Sequence, residues 1–259
     1  MTGELVADYG GLPFVDPRFR PSRLLATVAA VRWSQYIDLL QQHGDGINQI
    51  LSPKEMLGPA KAQELRELQS CVPSTPILHA PLSSQQREEV EAARDFIGKE
   101  MPHWQPLMSL PLRISLLLSD KAIGCSCFAL PQQIFLSRRA FVSANELREQ
   151  LLHEACHNWM YLLEEVGSFH FAGTGTRFVL PSGTSNRNAA EVIGAAHVTA
   201  TLWLWYGRIC DDFSSRRQKE VEDYFAGCLQ ILHDEAGREL TVRGREVCEL
   251  LRLTYENKI

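Results

Sequence analysis

The chain lacks several features that would classify it at once. It has no CxxC pair, although seven cysteines (Cys71, Cys125, Cys127, Cys156, Cys210, Cys228 and Cys248) are spread through its 259 residues. An odd count without paired spacing gives neither a disulfide framework nor a zinc knuckle, so reduced and mostly buried thiols are expected. Cys125-Ser-Cys127 points two thiols to one face of a predicted strand, with no sequence-near cysteine or histidine to complete a metal site. No Lys/Arg cluster stands against the formal net charge of −5, so the broad attraction that nucleic acid needs is missing and no such partner is expected. The longest apolar run, Val192 to Tyr206, is interrupted by His197 and follows Arg187 and Glu191, and reads as a buried helix, with no membrane span expected. MTGELVADYGG has neither a basic n-region nor an apolar h-region, which sets the expectation of a cytoplasmic protein. There is no internal repeat and no low-complexity tail.

What remains is an ordinary globular composition, 45% hydrophobic, enough for one sizeable core. Residues 1–21, with Pro13, Pro17, Pro21 and Gly10-Gly11, read as an irregular arm. Helical periodicity then runs from Arg23 to His43, closed by Gly44, and from the Ser52-Pro53-Lys54-Glu55 capping box to Ser70. A Pro/Ser-rich connector, CVPSTPILHAPLSS, leads to a third helix over Ser84 to Lys99. From Pro111 the texture changes to short β-type runs, Leu112 to Ser119, Ile123 to Ala129 and Gln133 to Ser137, which predict a small antiparallel meander. Helices are expected again over Asn188 to Arg208, Ser215 to Glu235 and Arg238 to the C-terminus. The fold class is therefore α+β and mainly helical, a small antiparallel sheet lying beside a zincin-like helix. Residues 1–110 form the N-terminal arm and helical region, and 111–259 the metal-binding catalytic region, within one compact domain.

The chemistry centres on HEACH, His153-Glu154-Ala155-Cys156-His157, in SANELREQLLHEACHNWMYLLEEV. Ser143 with Glu146 makes a capping box, Leu147, Leu151, Leu152, Cys156, Met160 and Leu163 recur at helical spacing, and Gly167 supplies a stop. Two histidines four residues apart on a helix are separated by about 40° and one turn, so both imidazoles can reach one metal ion, with Glu154 beside it as a base. HExxH fixes only three positions and also arises by chance. Here, however, Leu152, Ala155, Cys156 and Trp159 turn inward, so the histidines flank an apolar surface where unpaired imidazoles would be costly. The preceding sheet adds an edge along which an extended peptide could pair.

A third ligand decides the class. Met160 and Leu163 stand where the metzincin extension needs Gly and His, which excludes that subclass. Glu191 in NAAEV would suit a gluzincin, and its rival is His197 in GAAHVTATLWLWY. The two are about 240° apart around one helix and cannot share a metal. Small residues Ala190, Gly194, Ala200 and Thr201 around His197 favour it, whereas Glu191 has a ready role at the helix N-terminus. The loop between the helices, SFHFAGTGTRFVLPSGTSNRN, is long enough to carry function, but its GTGT lacks the Lys and preceding strand of a phosphate loop.

LLHEACH, the loop containing Arg187 and the helix GAAHVTATLWLWYGR together resemble the HExxH-type proteins of peptide-natural-product clusters, over about residues 140–210. Members of that family are Fe(II)- and 2-oxoglutarate-dependent peptide β-hydroxylases. The resemblance implies iron on His153, His157 and His197, a ribosomal precursor peptide as partner, and an Arg paired with the distal carboxylate of 2-oxoglutarate. Arg187 is the first choice for that Arg, then Arg177 and Arg208, because a guanidinium suits bidentate pairing. It also makes Glu154 an outer or substrate-orienting group. The alternative is a zinc metallopeptidase on His153, His157 and Glu191, with Glu154 as catalytic general base and Arg187, His170 or Tyr161 stabilising the oxyanion. A metal-free scaffold ranks third.

Overall fold

The structure, a computed structural model, describes residues 7–43, 51–71, 73, 75–209 and 212–257. Gly44 and Cys210, both named above, lie outside them. The chain forms two compact units, residues 21–166 and residues 1–20 with 167–259. The boundary expected at residue 110 falls inside the first unit, because the early helices pack on the motif helix and share its core.

The first unit opens with α1 (Pro21–His43), α2 (Pro53–Met56) and α3 (Pro59–Leu68). The expected single helix from Ser52 is broken at Gly58-Pro59: Pro59 has no N–H to continue α2, and Gly58 becomes the N-cap of α3. Then come β1 (His79–Pro81), α4 (Ser84–Glu100), the single turn α5 (Gln105–Met108), β2 (Arg113–Leu117), β3 (Gly124–Cys127) and β4 (Leu130–Leu136). The motif helix α6 (Ala144–Val166) closes the unit, its first turn capped by the Ser143 hydroxyl on the Glu146 N–H at 3.1 Å.

The sheet has four strands in the order β1-β2-β4-β3, and it is mixed, which corrects the antiparallel meander. β3 and β4 are an antiparallel hairpin, but β4 inserts between β3 and β2 and so runs parallel to β2. β1 pairs antiparallel with β2 from within the Pro-rich connector, where Pro81 is tolerated because the strand is at the edge. Cys125, Cys127 and Cys71 are partly exposed, Cys156 is buried, and all are free thiols.

Packing in this unit converges on α6. Leu151, Leu152, Ala155, Cys156, Trp159 and Leu163 are fully buried, and the Trp159 indole N–H donates to the Leu107 carbonyl at 3.0 Å. Leu24 and Val28 bury the inner face of α1, and so does Arg32. Its guanidinium meets both oxygens of Glu165 at 2.8 and 2.9 Å and donates to the Gln132 side chain and the Met56 carbonyl at 2.8 and 3.0 Å. Gln132 in turn donates to the carbonyls of Leu57 and Pro111. The second unit holds α7 (Ala189–Arg208), α8 (Asp212–Ile231) with a π-helical extension over Leu232–Ala236, and α9 (Val242–Asn257). α7 packs on α8 and α9. Among the described residues no helix is long and apolar enough to cross a membrane.

Replacing Arg32 by Met should destabilise the protein by about 3 kcal/mol, since it strips a buried carboxylate of its bidentate partner and leaves only Arg66 at 3.4 Å. Urea unfolding of the first unit checks this, and a loss below about 1 kcal/mol would mean that the ion pair merely offsets its own desolvation.

Candidate functional site

α6 presents His153, His157 and Tyr161 at successive intervals of four residues, half-buried on one face, while its other faces are in the core. The Nε2 atoms of His153 and His157 are 3.2 Å apart, with the ring planes inclined at 65°. Two imidazole nitrogens bound at about 2.0–2.1 Å to one ion lie roughly 2.9 Å apart at a right angle and 3.3 Å apart at the tetrahedral angle. The observed separation falls inside that interval, and it is also the length of a hydrogen bond between the two rings.

Glu154 turns away from solvent towards β3. It is 3% exposed, and its Oε2 accepts the Ser126 hydroxyl at 2.7 Å. A Cβ at residue 124 would come within 2.9 Å of Glu154 Oε1, so Gly124 is what lets the strand approach the helix. Burial raises the Glu154 pKa, against the smaller opposing pull of His153 and of the Ser126 hydroxyl. The same burial pushes the Cys125 thiol up to about 11, aided by the Glu154 charge, which leaves it a poor thiolate ligand or nucleophile at neutral pH. Tyr161 stacks on His157 at 6.1 Å between centroids with an interplanar angle of 15°, and its hydroxyl donates to the Ser126 carbonyl at 3.3 Å. Ser126 therefore touches both ends of this arrangement. It carries no motif, and only its place two residues before the β3–β4 turn hinted at it.

The other expected residues belong to the second unit. His197 is fully buried on α7 with its Nε2 2.7 Å from the Pro13 carbonyl, so Nε2 carries the proton. Nδ1 keeps its lone pair, buried and without a hydrogen-bond partner. A backbone carbonyl holding one ring nitrogen while the other stays open is how metal-ligating histidines are usually oriented. Among the described residues no three His, Cys, Asp or Glu side chains form a group that could hold a metal ion. His153 and His157 thus offer two ligand positions.

Glu191 is engaged at both oxygens. Oε2 accepts the Asn188 N–H at 2.8 Å in the capping box of α7, and Oε1 pairs with Arg187 at 2.7 Å. The Asn188/Glu191 spacing that suggested a ligand is thus spent on starting a helix. Arg187 is held in that exposed pair, Arg177 is exposed and donates to the Thr176 carbonyl, and Arg208 is exposed at the end of α7. His170 forms an isolated backbone bridge with Leu240. Part of the long loop is ordered as a small hairpin, with Phe178 and Arg187 exchanging backbone hydrogen bonds at 2.7 and 3.1 Å.

Burial without a charge partner lowers the His197 pKa to about 4, from an ordinary value near 6.5. Between those values the unfolded chain binds a proton that the folded chain does not, so metal-free protein should lose about 3 kcal/mol as the pH falls from 6.5 to 4. His197→Gln should remove that part of the pH dependence, which denaturant titrations across this range would measure. An unchanged slope would mean that His197 titrates normally.

A scan with protein-family models finds no match to this chain, and no characterised protein matches it significantly.

Proposed function

We propose that the protein is a metal-dependent enzyme that holds its ion on His153 and His157 and, with Fe(II) and 2-oxoglutarate, hydroxylates a side chain of a peptide. The observation that carries this reading is the 3.2 Å separation of the two Nε2 atoms. Iron would supply the redox chemistry by which 2-oxoglutarate and dioxygen become succinate and carbon dioxide while one oxygen atom enters a C–H bond of the peptide.

The protein's own groups bind and orient. His153 and His157 would offer the ion their Nε2 atoms. Glu154, held by the Ser126 hydroxyl, fixes β3 against α6. β3 is an edge strand, which suits an extended peptide, such as a ribosomal precursor, laid beside the motif helix. The zinc peptidase reading needs Glu154 as a free base and Glu191 as a ligand. Glu154 is buried and accepts the Ser126 hydroxyl, which favours the oxygenase.

Protein purified without chelator should contain about one equivalent of metal by elemental analysis, and His153→Ala or His157→Ala should lower the affinity at least tenfold. With Fe(II), 2-oxoglutarate and a peptide library under air, succinate and a peptide heavier by one oxygen should form together. Metal-free protein, or peptide cleavage by the zinc form that Glu154→Gln abolishes, would overturn this assignment.

A further inference from the structure

We infer that Tyr161 is a positioning residue for the metal-binding pair, its ring holding that of His157 in place. The inference rests on the reading of His153 and His157 as metal ligands. Tyr161 is the third member of the stripe at residues 153, 157 and 161, one turn beyond His157. Its ring lies nearly parallel to the imidazole, at 15°, offset with the centroids 6.1 Å apart, so it flanks His157 on one side. The Tyr161 ring is itself fixed on two sides. Phe128, from the β3–β4 turn, meets it edge-on at 6.0 Å and 78°, and its hydroxyl donates to the Ser126 carbonyl at 3.3 Å.

Through Ser126 the same contact reaches the other side of the motif. The Ser126 carbonyl takes the Tyr161 hydroxyl while the Ser126 hydroxyl donates to Glu154 at 2.7 Å. One β3 residue therefore ties together Tyr161, four positions after His157, and Glu154, the neighbour of His153. This arrangement makes a two-histidine site selective in geometry. An imidazole free to swing about its Cβ–Cγ bond spends most of its time with Nε2 off the metal, and holding it in place typically changes metal affinity by about 10- to 100-fold. Tyr161 thus adds a third ring to the pair whose Nε2 atoms are 3.2 Å apart.

The test measures metal binding by the full chain. Zn(II) affinity is read by competition with a chromophoric chelator, and the visible spectrum of the Co(II) form reports ligand geometry. Tyr161→Phe keeps the flat ring and should bind Zn(II) within about threefold of the wild type, with the same Co(II) bands. Tyr161→Leu removes the ring and should weaken Zn(II) binding about tenfold or more and alter the Co(II) bands. Should the Leu variant fail to fold by circular dichroism, Tyr161→Met, which fills similar space without a planar face, replaces it with the same expectation. Equal affinity and equal spectra for wild type and the variant without a ring would overturn the inference, as would a Phe variant as weak as the Leu variant. Wild-type protein that binds neither ion would remove the metal reading and this inference together, whereas metal-binding wild type with indifferent variants removes this inference alone.

Discussion

Burying α6 on nearly every side, while leaving His153 and His157 half-buried side by side, is the constraint that the rest of the first unit serves. α1 and α4 pack against it, β3 and β4 cover another face, and Leu151, Leu152, Ala155, Cys156, Trp159 and Leu163 are sealed from solvent. A helix so enclosed is a stiff mount, and the positions of imidazoles on it are set by packing more than by their own preferences. Burial on this scale favours paired polar groups, as in the Arg32–Glu165 pair near one end and the Trp159–Leu107 bond in the middle.

The same constraint gives Glu154 its place. In an isolated HExxH pattern the glutamate is read as a base beside a metal. Here it is buried against β3, which Gly124 brings close enough for Ser126 to donate to its carboxylate. Its carboxylate is held on β3 by that hydroxyl and shielded from solvent, so the half-buried face of the motif is left to the two imidazoles. The second unit shows a parallel economy. Glu191 and Arg187 share an exposed cap at the start of α7, while His197, further along the same helix, is sealed in with one nitrogen tied to the Pro13 carbonyl.

Several elements were legible because their signals are local. The Ser143 cap and Gly167 stop bracket α6, the Ser52 and Asn188 boxes start α2 and α7, and the small Gly124 to Leu136 region reads as strands. Strand pairing was not legible. β4 enters between β2 and β3, a choice made by how three separate strands share one hydrophobic surface, and β1 hides in a Pro-rich connector because an edge strand tolerates what an inner one does not. The Gly58-Pro59 break was readable in principle, since proline cannot continue a helix, but the helical period across it masks the interruption.

The sequence by itself determined the helical frame and the spacing that sets His153 and His157 side by side, because a four-residue interval on an α-helix has one geometric outcome. Only the tertiary structure decided what surrounds them. Arg32 finding Glu165 across 133 residues, Ser126 finding Glu154, Tyr161 bridging to β3 and Glu191 turning to its own cap are contacts between side chains whose residue types allow many partners. Which partner wins depends on burial, since a polar group removed from water must bond to whatever the packing brings near it.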